Sequence, residues 1–168
     1  GHYVTQWYYL NDYGNHIALL GESLKARVFE KLGIDNQIPE GGYKGDYLIE
    51  IAELLVSKMA KESLLGEDLL FFSNFAVNYL REQIEIDLKE LNIEFDTWFS
   101  ERKQIHESNY IAEIYNLLSS LNGSYSKDGA SWIKTSEFGD NDDWVIKKSD
   151  NSSTYFMNDI AYHHNKFN

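Results

Sequence analysis

The spacing of apolar residues predicts a chain that is mainly helical. Apolar side chains recur every three or four positions in five segments, which is the spacing of a helix with one buried face. The predicted helices cover residues 16–32, 47–61, 69–91, 107–121 and 154–167. Between the first two lies a loop, residues 33–46, that holds the only proline and four glycines. The pattern therefore predicts helices packed through their apolar faces.

Strand patterns occupy the start and the last third of the chain. Residues 3–10 are β-branched and aromatic and predict a buried strand, whereas residues 92–101 alternate apolar and polar side chains and predict a strand that ends near Ser100. Three short strands are predicted at residues 124–126, 130–135 and 144–148, and Asp128-Gly129 favours a hairpin turn between the first two. The fold class expected from this order is mixed α/β, with a small antiparallel sheet before the closing helix.

Composition narrows the classes of function. The chain has 168 residues, no cysteine and a formal net charge of -12. Disulfides and thiolate metal sites are excluded, which fits a reducing compartment. An acidic surface repels phosphates, so contact with RNA would need a local basic patch. No apolar run approaches the roughly 20 residues that span a bilayer, and we expect neither a signal peptide nor a membrane partner.

The closing helix carries a candidate site. Residues three and four positions apart are neighbours on a helix, so Tyr155, Asp159, Tyr162 and His163 are predicted on one side. Phe156, Ile160 and Ala161 are predicted on the other side, against a core. A carboxylate accepts two parallel N–H bonds from a planar cation, and a phenol offers a hydroxyl and a ring face. The alternative is an amphipathic helix whose polar face only meets water.

A second candidate is the turn after the first strand. Asn11, Asp12 and Gly14 follow that strand and precede a helix, and open α/β sheets bind ligands at such turns. An ordinary turn has the same residue types. Elsewhere, the acidic loop 140–143 lacks the ligand pattern of a calcium loop, and the adjacent His163 and His164 point about 100° apart. We therefore predict no metal site, and no catalytic residue is assigned.

Six stretches resemble a known family when they are taken in order. Residues 95–101 are similar to Phe-Asp-x-Trp-x-Ser-Glu, and residues 128–132 to Asp-Gly-Ala-x-Trp. The other four stretches are residues 8–15, 42–47, 138–140 and 154–167. In this order and spacing they resemble arginyl-tRNA synthetase, a class I aminoacyl-tRNA synthetase. The resemblance implies a partial Rossmann-like catalytic domain that carries a helical and antiparallel insertion.

The resemblance also implies a function for the whole enzyme. Such an enzyme activates arginine with ATP and Mg²⁺ and transfers it to the 3′ end of its tRNA in the cytoplasm. Tyr155 and Asp159 match residues of the arginine pocket, and Asn11, Asp12 and Gly14 match a turn near the adenylate. Trp144 stands where the family commonly has arginine, and the His-x-Gly-His signature and the later lysine loop are absent.

These departures predict an internal piece of the catalytic region. Residues 1–32 are expected to belong to the first half of the nucleotide-binding fold, residues 33–150 to the insertion, and residues 151–168 to the second half. Alone, the piece is predicted to be monomeric, to bind neither ATP nor Mg²⁺ and to make no adenylate. The alternative is a stand-alone acidic protein-interaction module derived from a synthetase insertion.

Overall fold

The computed structural model describes all 168 residues and contains six α-helices and five strands. The helices are Asn15–Lys31 (α1), Tyr47–Lys58 (α2), Lys61–Gly66 (α3), Leu69–Glu90 (α4), Tyr110–Ser120 (α5) and Tyr155–Phe167 (α6). The strands are Trp7–Leu10 (β1), Thr97–Ser100 (β2), Ser124–Lys127 (β3), Ala130–Ile133 (β4) and Trp144–Lys147 (β5). A π-helical turn, Arg102–His106, and a 3-10 turn, Thr135–Phe138, complete the elements. The predicted mixed α/β class is confirmed.

The chain forms two compact units. The first comprises Gly1–Tyr8 and Asp12–Thr97, and the second Tyr9–Asn11 and Trp98–Asn168. The predicted division at residues 32 and 150 concerns a larger catalytic fold and stays a prediction. None of the helices has both the length and the apolarity needed to cross a lipid bilayer.

The first unit is built around helices α1, α2 and α4. Their apolar residues at helical spacing are fully buried or nearly so, as the periodicity predicts. The core residues are Leu20, Leu24, Val28, Leu48, Ile51, Ala52, Leu55, Leu64, Phe72 and Ala76. The second helix ends earlier than predicted, because Met59 has extended φ and ψ angles of -129° and 143°, and a separate short helix, α3, follows.

Helices α1 and α4 approach each other closely at Gly21. The Ser73 hydroxyl donates a hydrogen bond to the Ile17 carbonyl at 3.2 Å, across the two helices. A Cβ atom on Gly21 would lie 2.1 Å from the Ser73 hydroxyl oxygen and 2.9 Å from the Ser73 backbone nitrogen. The absence of a side chain at Gly21 therefore permits this helix contact.

Replacing Gly21 by alanine is expected to destabilise the protein by about 1–3 kcal/mol, because the methyl group forces two packed helices apart. Gly66→Ala is the matched control, since a Cβ there meets nothing within 4 Å. Urea titration of the free energy of unfolding measures both variants. Equal stability of the two variants would contradict the assigned close contact.

The second unit contains a three-stranded antiparallel sheet in the order β3-β4-β5. Asp128 and Gly129 join β3 to β4 with φ angles of 53° and 75°. Two successive positive φ angles define the two-residue hairpin turn that Asp-Gly favours. The predicted small antiparallel sheet and its hairpin are confirmed.

Strands β1 and β2 form a two-stranded sheet and are shorter than predicted. The predicted segments, residues 3–10 and 92–101, contain only four strand residues each. Tyr3 and Val4 are 92% and 76% exposed. Asn92 has a left-handed φ of 57° and the Ile93 N–H donates to the Leu88 carbonyl, so residues 92 and 93 close helix α4 instead of starting a strand.

Candidate functional site

Helix α6 is anchored at its start by Thr154. The Thr154 hydroxyl oxygen accepts a hydrogen bond from the Met157 N–H at 3.2 Å and caps the helix. The same hydroxyl donates to the Val145 carbonyl at 2.8 Å, and the Thr154 N–H donates to the Ile146 carbonyl at 3.2 Å. The first turn of α6 is thus fixed to strand β5.

The buried side of α6 differs from the predicted one. Met157, Asn158 and Ala161 are buried, whereas Phe156 and Ile160 are only half-buried and border an open groove. Of the residues predicted to face the core, only Ala161 does so fully. The polar Asn158 was not predicted there, because a short sequence pattern favours apolar residues for the core.

Tyr162 was predicted on the open side, and the structure corrects this. Its ring packs edge-on against Tyr9 and Phe99, with both pairs of ring centroids 4.8 Å apart. Tyr9 and Phe99 come from β1 and β2, which lie far away in the sequence. Tyr162 therefore helps to hold α6 in place and does not belong to the open face.

The open face of α6 carries Tyr155, Asp159 and His163. Tyr155 is 86% exposed, and Asp159 and His163 are also exposed. The groove beside them has a volume of about 680 Å³. It is lined by Phe156, Asp159, Ile160, His163, His164, Phe167 and Asn168. Asp159 and His163, one turn apart, therefore border a groove with largely apolar walls.

Neither Tyr155 nor Asp159 is engaged by another side chain. No hydrogen bond or ion pair involves the Asp159 carboxylate or the Tyr155 hydroxyl within the chain. A free carboxylate accepts two parallel hydrogen bonds from a guanidinium, and a tyrosine one turn away can contact the same flat cation. The geometry suits a planar cationic ligand.

A buried polar network lies on the buried side of α6. The Asn158 amide donates to Glu101 Oε1 at 3.2 Å, and His106 Nε2 is 3.1 Å from the same oxygen. The Ser153 hydroxyl donates to Asn158 Oδ1 at 3.2 Å. No local pattern could predict this network, because its members lie up to 57 residues apart in the sequence.

The candidate turn is divided between the two units. Asn11 belongs to the second unit and is exposed, whereas Asp12 and Gly14 belong to the first, where Asp12 is only 4% exposed. Gly14 has a φ of 103° and precedes α1, and its carbonyl accepts the first hydrogen bond of the helix from Ile17. A residue with a side chain would be strained there, so Gly14 shapes the start of the helix.

Two carboxylates of the acidic loop 140–143, before β5, accept hydrogen bonds from within the chain. Asp143 accepts from the Ser136 hydroxyl and backbone N–H, and these bonds hold the pKa of the Asp143 carboxyl below its ordinary value. Asp140 accepts from the Trp144 indole N–H at 2.8 Å. The Trp144 ring also packs on Phe156, with centroids 5.9 Å apart. Trp144 therefore donates a hydrogen bond to the acidic loop and packs against Phe156, which lines the groove.

Curated relatives match the chain along its whole length. The arginine–tRNA ligase of Thermotoga maritima is 41% identical over 99% of this chain, and that of Oceanobacillus iheyensis is 42% identical over 99%. A crystal structure described as an arginyl-tRNA synthetase from Campylobacter jejuni superposes on 96% of this chain with a TM-score of 0.81 and 32% identity. The chain matches a fragment of arginine–tRNA ligase. No protein-family model matches it.

The chain spans about a third of the ligases that it resembles. It covers 31% of the Thermotoga maritima protein, 30% of the Oceanobacillus iheyensis protein and 35% of the Campylobacter jejuni chain. The arginyl-tRNA synthetase of Plasmodium falciparum shares the fold, with a TM-score of 0.63 at 15% identity. The predicted synthetase fold and family are confirmed, and a stand-alone interaction module is not favoured.

Proposed function

We propose that this chain forms part of the catalytic region of an arginine–tRNA ligase and that α6 supplies part of its arginine pocket. One observation carries the proposal: Tyr155 and Asp159 are unpaired on the exposed face of α6. The match to arginine–tRNA ligases supports a guanidinium as the cation that they meet.

The Asp159 carboxylate selects arginine by geometry. A guanidinium is planar and presents two parallel N–H donors, whereas an ammonium is a compact point charge. A carboxylate in a binding pocket is therefore better satisfied by arginine than by lysine. Citrulline is a neutral analogue in which an oxygen replaces one nitrogen of the guanidinium. It therefore lacks the positive charge and the N–H donors of that nitrogen, and it leaves part of the carboxylate unpaired.

The turn residues are proposed as a second contribution to the active site. Asn11 and Asp12 follow β1, and Gly14 orients the start of α1. Polar side chains at such a turn can contact a ligand at the end of a strand. Their proposed role in the whole ligase is that of an active-site turn near the adenylate.

The proposal also covers the substrates and the location of the whole ligase. Arginine, ATP and tRNA are its proposed substrates and the cytoplasm its proposed location. No group of three or more histidine and acidic side chains in this chain is arranged to hold a metal ion. ATP and Mg²⁺ are proposed as cofactors of the whole ligase, and we assign no residue of this chain the role of holding Mg²⁺.

The coding region provides the test of this proposal. We expect the reading frame to encode a His-x-Gly-His signature upstream of residue 1, and its purified product to charge tRNA with arginine. Transfer RNA carrying radiolabelled arginine measures the activity. A frame that encodes residues 1–168 alone, with no charging activity, would contradict the proposal.

The isolated 168-residue chain is predicted to make no arginyl-adenylate. Adenylate transfer depends on positioning and on charge stabilisation, and the sequence lacks both the His-x-Gly-His signature and the lysine loop. Arginine-dependent exchange of pyrophosphate into ATP is the measurement. The full-length Thermotoga maritima ligase serves as the positive control, and exchange by the isolated chain above the protein-free blank would refute this prediction.

A further inference from the structure

We propose that Asn158 is a positioning residue that fixes the rotation of α6 and so directs Asp159 at its ligand. The inference rests on the proposed function, because it assumes that Asp159 binds arginine. It adds a role for a buried residue that does not itself face the groove.

Asn158 connects three separate parts of the second unit. Its side chain is 8% exposed, and its amide donates to Glu101 Oε1 at 3.2 Å, just after β2. Its carbonyl oxygen accepts from the Ser153 hydroxyl at 3.2 Å, in the segment before α6. Both ends of the amide are therefore satisfied by partners outside the helix.

The acceptor of the Asn158 amide is itself held in place. Glu101 is 6% exposed, and its Oε1 atom also lies 3.1 Å from His106 Nε2 in the π-helical turn. A buried hydrogen bond to a charged group is directional and expensive to break. Glu101 therefore offers the helix one fixed point of attachment.

Apolar packing alone would fix the helix less strictly. The cap at Thr154 and the ring contacts of Tyr162 also hold α6. The fully buried apolar residues of the helix are Met157 and Ala161, a flexible side chain and a small one. Contacts of that kind are not directional. Successive helical residues differ by 100°, so the direction of Asn158 determines that of Asp159.

Kinetics of the full-length ligase test this inference. Asn158→Ala is expected to raise the KM for arginine about tenfold and to change kcat by less than about twofold, a loss in the range for one hydrogen bond to a charged group. In an Asp159→Asn background the same substitution should add less than about twofold, because residues that act through one another are not additive.

Asn165→Ala is the matched control, since Asn165 lies seven residues further along the same helix and is partly exposed. It should leave the KM for arginine unchanged. If Asn158→Ala does not fold, Ser153→Ala removes the other bond of the amide and should raise the KM in the same direction, by a smaller factor.

The outcomes separate the two proposals. If Asp159→Asn leaves the KM for arginine unchanged, the proposed function fails and this inference fails with it. Two results would overturn the inference and leave the proposed function standing, provided that Asp159→Asn raises the KM for arginine. In the first, Asn158→Ala leaves that KM unchanged. In the second, the fold-change in KM of the double variant equals the product of the two single fold-changes.

Discussion

Asp159→Asn in the full-length ligase is expected to raise the KM for arginine roughly 10- to 100-fold, the range for losing a hydrogen bond to a charged partner. The substitution keeps the shape of the side chain. It removes the negative charge and places an N–H₂ group where a guanidinium N–H would point. Steady-state pyrophosphate exchange at varied arginine concentration measures the effect.

The same variant should lose discrimination against citrulline. The ratio of kcat/KM for arginine to that for citrulline depends on the paired carboxylate, so it should fall along with the affinity for arginine. Asp87→Asn is the matched control, because Asp87 is an exposed acid on helix α4 and its loss removes the same charge. An unchanged KM for arginine in Asp159→Asn would contradict the assignment of Asp159 to the arginine pocket.

Phe72→Ala is expected to destabilise the protein by about 3–5 kcal/mol, the range for deleting a buried aromatic ring. Phe72 is fully buried at the centre of the first unit. Its ring meets Phe29 and Phe71 edge-on, with centroids 6.4 Å and 5.3 Å apart. The substitution removes these contacts and leaves a cavity between packed helices.

Leu70→Ala provides the comparison for Phe72→Ala, since Leu70 lies on the same helix and is 54% exposed. Its effect on the free energy of unfolding should stay below about 1 kcal/mol. Urea titration measures both variants. A loss at Phe72 no larger than that at Leu70 would show that the ring is not part of the core.

Local patterns predicted the elements whose causes are local. Helices α1 and α4 follow an unbroken apolar spacing, and their observed bounds lie within about two residues of those predicted. The hairpin at Asp128 and Gly129 was predicted because its turn needs positive φ angles, which these residue types tolerate. The shared face of Tyr155 and Asp159 follows from their separation of four residues.

Long-range contacts could not be predicted from the sequence. Tyr162 sits at the edge of the open face on a helical wheel, and its burial depends on Tyr9 and Phe99 from two other strands. Asn158 is polar, and its hydrogen bonds with Glu101 and Ser153 explain its buried position. The unpredicted π-helical turn ends before Asn109, whose left-handed φ of 52° delays the start of α5.

A structure of the full-length ligase with arginine bound tests the central claim most directly. We predict that both carboxylate oxygens of Asp159 lie about 2.7–3.1 Å from two guanidinium nitrogens, with Tyr155 against the same group. A guanidinium that is paired elsewhere, with Asp159 still facing solvent, would contradict the account.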